Sequence, residues 1–361
     1  MIDLALVPDG GLSWLDGSGP QADVVLSTRV RLARNVAGVA FTSRAGPLDR
    51  ARVLDLVDAA WRGSPFGRGS VRFLLDDLAP EDRLLLHERH LASRELTAAP
   101  SEREGGSGSA VYLSGSTGVM VNEEDHLRLQ TLHSGFALGP AYAELEQLDA
   151  SLGVAIPFAF HSEFGYLTSC LTNAGTCLRA SVLIHLPGLV LTKEIAKVLQ
   201  GLTQVGLTFR GLYGEGSEVV GNFFQLSNQT TLGKSEEELL DHLGKIVRQV
   251  VAYEEQARQV LLRDAPTIIE DKVWRAYGLL RHARSLSFEE AMNLLSGVRL
   301  GVGLNLIPGV GVYTLNKLLV FTQPAHLAAY ETSVPGDTDA RATRAAYVRR
   351  VLDEEAGRTR G

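Results

Sequence analysis

Ala110-Val-Tyr-Leu-Ser114, Gly118-Val-Met-Val-Asn122 and Leu127-Arg-Leu-Gln-Thr-Leu132 are three short runs parted by Gly115-Ser-Thr117 and by Glu123-Glu-Asp-His126. Apolar runs of this length, bounded by turn formers, predict strands. Links this short join only antiparallel neighbours, because a parallel pair needs a crossover of about a dozen residues or more. The meander therefore sets the fold class as α+β, an antiparallel β-sheet flanked by helices rather than an alternating parallel one.

Upstream, Val24 to Arg31 alternates as a strand does, Leu48 to Trp61 has helical apolar spacing, Val71 to Leu75 reads as a strand, and Pro80 to Leu91 as a helix with proline near its start. Thr97 to Ser109 is polar and Gly/Ser-rich, a loop. Downstream, a helix is expected over Gly139 to Leu152 and another over Lys193 to Thr203, with strands at Ile156 to Phe160, Ala180 to His185, Thr208 to Leu212 and Asn222 to Ser227. Ser235-Glu-Glu-Glu238 has the form of a capping box and opens a helical pattern that runs to Arg263. Past Pro266 the pattern is helical at Ile269 to Arg281, Ser287 to Leu300 and Asp339 to Leu352, joined through a Gly-rich apolar segment from Gly301 to Gly311. The expected division is an irregular leader over 1–22, an α+β domain over 23–263 and a C-terminal helical domain over 264–361.

The chain has 361 residues, 45% of them hydrophobic, enough for a sizeable core. Its formal charge of −7 excludes the strongly basic footprint of a general nucleic-acid binder. No apolar stretch approaches the roughly 20 residues of a membrane helix and no secretory signal opens the chain, so a cytoplasmic protein is expected. Cys170 and Cys177 are the only cysteines, and their spacing fits neither a zinc framework nor a disulfide scaffold. Arginine outnumbers lysine 29 to 6, so an arginine here gains meaning only from its setting.

Four settings stand out. Ser27-Thr-Arg-Val-Arg31 puts Arg29 and Arg31 two apart in a strand, on one face, where two forked guanidiniums make an anion site. Asn122-Glu-Glu-Asp-His-Leu-Arg128 joins carboxylates to an arginine at a strand junction, with Glu124 the preferred base; a guanidinium acceptor, whose pKa exceeds about 12, needs a carboxylate to align it and take its proton. Cys170-Leu-Thr-Asn-Ala-Gly-Thr-Cys-Leu-Arg179 places a thiol and an arginine before a strand. Arg210-Gly-Leu-Tyr-Gly-Glu215 ends a strand on an arginine and adds Glu215 after glycines that permit close backbone approach. His90, near a helix end, could meet a nucleotide or simply cap the helix. No P-loop, Gly-x-Gly-x-x-Gly or His-Arg-Asp element is present, so arginine forks would have to take the place of a phosphate-cradling loop.

Together these segments, with Ser227-Asn-Gln-Thr-Thr-Leu-Gly-Lys234, resemble the phosphagen (guanidino) kinase family, and most of all its bacterial protein arginine kinase branch. They occur in family order over about 208 residues. Only 26 residues precede Ser27, where kinases of free arginine or creatine carry a helical domain of roughly a hundred. The expected consequence is an open site that reaches protein substrates. The tail from Ile268-Ile-Glu-Asp-Lys-Val-Trp-Arg-Ala-Tyr-Gly278 also looks like that branch's extra domain.

The resemblance implies a kinase moving the γ-phosphate of ATP, with Mg²⁺, onto protein arginines. Nucleotide contacts would come from Ser27, Thr28, Arg29, Val30, Arg31, from His90 and Arg128, from Arg179, Ala180, Ser181, Val182, Leu183, and from Arg210, Gly211, Leu212, Tyr213, Gly214. Glu124, Glu215 and Cys170 would be catalytic, and no protein metal ligands are implied. It further implies marking of proteins for a Clp-type unfoldase in stress response, a zinc-binding activator and a homodimer. A small-molecule guanidino kinase and a non-catalytic phosphoarginine-binding adaptor are the alternatives. Three departures from the pattern stand out. Leu171 stands where proline is usual and Cys177 where glycine is, and Ala340-Arg-Ala-Thr-Arg-Ala345 keeps only half of the branch's phosphoarginine-pocket motif, leaving Arg341 and Arg344 as possible contributors.

Overall fold

The computed structural model describes residues 12–99, 108–211, 219–331 and 339–358. In chain order the elements are β1 (Val25–Arg34), α1 (Pro47–Gly63), β2 (Val71–Leu74), α2 (Pro80–Glu88), α3 (Arg94–Thr97), β3 (Ala110–Ser114), β4 (Thr117–Val121), β5 (Leu127–Ser134), α4 (Leu138–Gly153), β6 (Phe160–His161), β7 (Gly165–Tyr166) and β8 (Leu178–His185). Then follow α5 (Pro187–Leu191), α6 (Ile195–Gln204), β9 (Leu207–Arg210), β10 (Phe223–Asn228), α7 (Glu236–Asp264), α8 (Pro266–His282), α9 (Phe288–Gly303), α10 (Val312–Phe321), α11 (Pro324–Glu331) and α12 (Ala340–Arg358). No helix among the described residues is long and apolar enough to cross a membrane.

Eight strands form one sheet in the order β2-β3-β4-β5-β1-β8-β10-β9, every neighbour antiparallel. Side chains alternate across the pleat, which gives the sheet two unlike faces. On one, Val30, Leu32, Leu129, Ala180, Val182 and Leu226 pack against Val57 and Trp61 of α1, Leu145 and Leu148 of α4, and Leu243 and Val247 of α7. Each such fully buried side chain contributes roughly 1.5–3 kcal/mol, so this face fixes the register. Among the described residues, the other face is covered at two places. Leu26, Leu132, Leu183 and Phe223 meet the C-terminal helices, and Val111, Leu113 and Met120 meet Leu86, Leu91 and Leu96 of the α2–α3 region. Between the two covers runs the strip that carries the arginines.

The long helix α7 starts as its sequence predicts: Ser235 Oγ accepts from the Glu238 amide at 3.2 Å and Glu238 Oε2 from the Ser235 amide at 2.8 Å. The helix ends at Asp264, and α8 starts afresh at Pro266. Around Val273, Leu280, Leu295, Leu318 and Val348 the helices α8, α9, α10 and α12 share one apolar core.

Three expectations differ from the structure. Ile156 to Phe160 is no strand. Pro157 supplies no amide for a ladder, Phe158 makes a lone bridge to Val36, and Phe160 pairs only with Tyr166 in a two-residue hairpin. The described part of the expected leader is not loose, because Leu12, Trp14 and Leu15 are buried among the C-terminal helices. Finally, the segment after Gly311 holds two further helices, α10 and α11.

Candidate functional site

Register brings the arginines together. Arg31 lies directly opposite Arg179 on β8 and Gln130 on β5; Arg29 lies opposite Ser181 and Leu132; Arg128 lies opposite Ala33, one pleat further on. At the far edge Arg210 faces Gln225. All are on the same sheet face, with directly opposed Cβ atoms about 4.5–5.5 Å apart. Like charges so placed repel, and the repulsion is visible. Burial first, then Arg179 and Arg128, bring Arg29 down to about 10, while burial and the other three arginines hold Arg31 well below its ordinary value. Arg29 has a neutral neighbour in Gln225 Oε1 at 3.3 Å, and the buried Nε of Arg31 has no hydrogen-bond partner among the described residues. A cationic strip of this kind is a site for a polyanion.

The alternation also sorts the other expected contacts. Ser27 and Ser181 share the arginine face, whereas the side chains of Val30, Ala180 and Val182 enter the opposite, apolar core. Thr28 is likewise turned away, its hydroxyl donating to the Gly135 carbonyl at 2.7 Å. Leu183 is on the arginine face but belongs to the apolar patch under the C-terminal helices. Gly211 is buried at the end of β9. Leu212, Tyr213, Gly214 and Glu215 lie outside the described residues.

At one end of the strip stands the acidic turn between β4 and β5. Arg128 Nη1 donates to Glu123 Oε1 at 2.5 Å and Nη2 to Glu124 Oε2 at 2.9 Å. Burial depresses the Arg128 guanidinium, but Glu123 and Glu124 outweigh it and the net shift is upward. Arg128 is therefore ion-paired with the residue expected to be the base. Glu124 itself is 40% exposed, and partial burial raises its pKa above the usual carboxylate value against the pull of Arg128. It is accessible, and its basicity is strengthened.

The turn is tied to the thiol loop by a residue that sequence reasoning missed. Asp125, fully buried, accepts from Asn35 Nδ2 and from the Ser169 amide, both at 2.7 Å, through one oxygen. Asn35 Oδ1 in turn accepts from the His126 amide at 2.9 Å. The next residue after Ser169 is Cys170, half-buried, its Sγ 3.0 Å from Thr172 Oγ1. Leu171 is 88% exposed, while Cys177 is buried with its thiol pushed up to about 12, chiefly by desolvation. Cys177 adopts φ +55°, the left-handed region in which glycine is at ease, so the glycine usual there answers to a backbone requirement that this chain meets with strain.

At the other end, His90 follows α2 in a left-handed conformation, its carbonyl accepting from Gln130 Nε2 at 3.1 Å. Its ring meets Trp14 edge-on at 5.2 Å, and the two line a cavity with Ser27, Arg29, Ser181 and Gln225. Burial and the nearby Arg29 hold its imidazole well below the usual range, hence neutral and able to stack on or accept from a base. Trp14, Gln130 and Gln225 carried no local signal. In the tail, Arg344, left by the half-kept motif as a contributor to a phosphoarginine pocket, is buried and donates to the Thr322 and Leu286 carbonyls at 2.8 and 2.9 Å, so it serves as a helix tie.

Comparison with known proteins agrees with this geometry. Residues 67–257 match the ATP:guanido phosphotransferase C-terminal catalytic domain, and residues 266–360 the protein-arginine kinase McsB C-terminal domain. The protein-arginine kinase of Symbiobacterium thermophilum is 47% identical over 319 residues, 87% of this chain and 89% of its own. That of Moorella thermoacetica is 45% identical over 347 residues, 94% of this chain and 97% of its own. The duplicated taurocyamine kinase from Schistosoma mansoni, solved with transition state analog components bound, is similar at TM-score 0.60 and 28% identity, over 71% of this chain and 35% of that one. Lombricine kinase shares the fold at TM-score 0.58 and 22% identity, over 69% of this chain and 71% of its own.

Proposed function

The chain belongs to the protein-arginine kinase branch of the ATP:guanido phosphotransferases, and from its site we propose how it moves the γ-phosphoryl group of ATP onto arginine side chains of proteins. The observation that carries the reading is the strip itself: Arg29, Arg31 and Arg179 face one another across β1 and β8, and the strip ends on the carboxylates of Glu123 and Glu124 at Arg128. The triphosphate lies along the arginines, with Arg210 at the sheet edge, and the base enters the cavity beside His90 and Trp14. The acceptor guanidinium enters at the acidic end, beside Glu124 and Cys170, and Glu215 serves as its second carboxylate.

In that arrangement a guanidinium nitrogen attacks the γ-phosphorus, the bond to the β-phosphate oxygen breaks and ADP leaves. The nitrogen's proton passes to Glu124. Catalysis comes from positioning and charge neutralisation, with no covalent enzyme intermediate. Mg²⁺ entering with the nucleotide would add charge neutralisation at the phosphates, beside Arg29, Arg31 and Arg179. The finer reading has phosphoarginine marking proteins for a Clp-type unfoldase in the cytoplasm, assisted by a zinc-binding activator. It also has a homodimer, which the exposed apolar side chains Ile268, Trp274 and Leu279 of α8 support.

The test is incubation with ATP, Mg²⁺ and an unfolded protein, followed by mass spectrometry for acid-labile phosphate on arginine. Phosphoarginine on the protein is expected. Transfer to free arginine alone would select a small-molecule kinase, and binding of phosphoarginine without transfer would select an adaptor.

A further inference from the structure

The buried junction between α2 and α11 has no place in the chemistry above. Glu88, the last residue of α2, is 3% exposed and reaches across to the start of α11, where its two oxygens accept from the Ala325 amide at 2.8 Å and the His326 amide at 3.1 Å. Those amides are among the unpaired donors of a helix N-terminus, so a carboxylate from another element caps α11. Glu88 Oε2 also lies 2.7 Å from His326 Nδ1, and Arg89 Nε lies 3.0 Å from His326 Nε2. Arginine can only donate, so Nε2 must accept and the ring proton sits on Nδ1, directed at Glu88. Burial lowers the His326 pKa, which suits this neutral tautomer. The Arg89 guanidinium also sits over the Phe321 ring of α10, 5.5 Å from its centroid.

His90 is the next residue along. It adopts the left-handed conformation, and its ring meets Trp14, which is itself buried among the C-terminal helices. Trp14 against the ring, and the Glu88–Arg89 pair that precedes His90 in the chain, are thus both held by the C-terminal region.

We propose that Glu88 and His326 form a latch through which the C-terminal helices hold His90 in place, making His326 a positioning residue for the nucleotide. The proposal rests on the assignment of the His90 cavity to ATP. The C-terminal region then sets nucleotide affinity from beneath, without touching the nucleotide.

The experiment uses the full chain, with calorimetric affinity for ADP and steady-state KM for ATP as readouts. His326→Ala should raise the dissociation constant for ADP and the KM for ATP by about tenfold, the effect of one lost positioning contact, with kcat within about twofold. His326→Asn, whose amide can replace Nδ1 as donor to Glu88, should restore most of the loss. The double variant with His90→Ala should bind ADP no more weakly than His90→Ala alone. Should His326→Ala fail to fold, Glu88→Gln is read in the same way. Additive losses in the double variant, or an unchanged affinity in a folded His326→Ala or Glu88→Gln protein, would overturn the latch. If His90→Ala leaves affinity for ADP intact, the nucleotide assignment fails and takes the latch with it.

Discussion

Replacing Arg31 by methionine should make the nucleotide-free protein more stable and its nucleotide complex unattainable. Arg31 is half-buried in mid-sheet, opposite Arg179, with Arg29 two residues away on the same face and its Nε without a hydrogen bond among the described residues. Burial and three neighbouring guanidiniums oppose its charge, and Glu123 favours it. Substituting buried ionic groups by apolar ones of similar volume is often neutral or stabilising by about 1–4 kcal/mol, and among the described residues no carboxylate forms an ion pair with this one. Arg31→Met should therefore raise the urea midpoint at unchanged slope, and the melting temperature by a few degrees. In the native protein, ADP at a hundredfold its dissociation constant adds about 2.7 kcal/mol. In the variant that ligand-induced increment should vanish. A nucleotide-free variant less stable than the parent, or one still stabilised by ADP, would refute the view that the strip is held in repulsion for a polyanion.

Asp125→Ala should lose about 2–5 kcal/mol in urea unfolding, because it strands the Asn35 amide and the Ser169 N–H inside the fold, whereas Asp125→Asn, which keeps the accepting oxygen, should lose far less. Equal losses in the two would mean that the acidic turn and the thiol loop are held by something else. Burial raises the Glu124 pKa, so its basic form is lost as pH falls through a value above the usual carboxylate one. The acid limb of the kcat profile should therefore lie above the usual carboxylate range, and Glu124→Gln should cut kcat by about 10²–10⁴ and remove that limb. A limb that persists in the variant would assign the proton transfer to another group.

Much of this was readable along the chain because it is local. The two-residue spacing of Arg29 and Arg31 puts them on one face wherever the strand goes, and the short links of the meander leave only antiparallel pairing. Ser235 caps its helix as its neighbours require. Local patterns also misled: Pro157 inside an apolar run ended a strand before it began, and the Gly/Pro-rich start hid Leu12, Trp14 and Leu15. In the acidic turn, nothing nearby in sequence shows that Asp125 points inward while Glu124 points out.

By itself the sequence determined the fold class, the set of arginines and the likeness to guanidino kinases, because periodicity, capping and motif order are properties of neighbouring residues. Tertiary structure decided which of those groups meet. Pairing of β1 with β8 sets Arg31 against Arg179, 148 positions away, and alternation then divides one motif between a polyanion site and an apolar core. It also decided that Arg128 is shared with Glu123 and Glu124, that Arg344 ties helices, that Trp14 meets the His90 ring, and that Glu88, two residues before it, is held by His326. Such contacts arise from register and burial over the whole domain, which no local window contains.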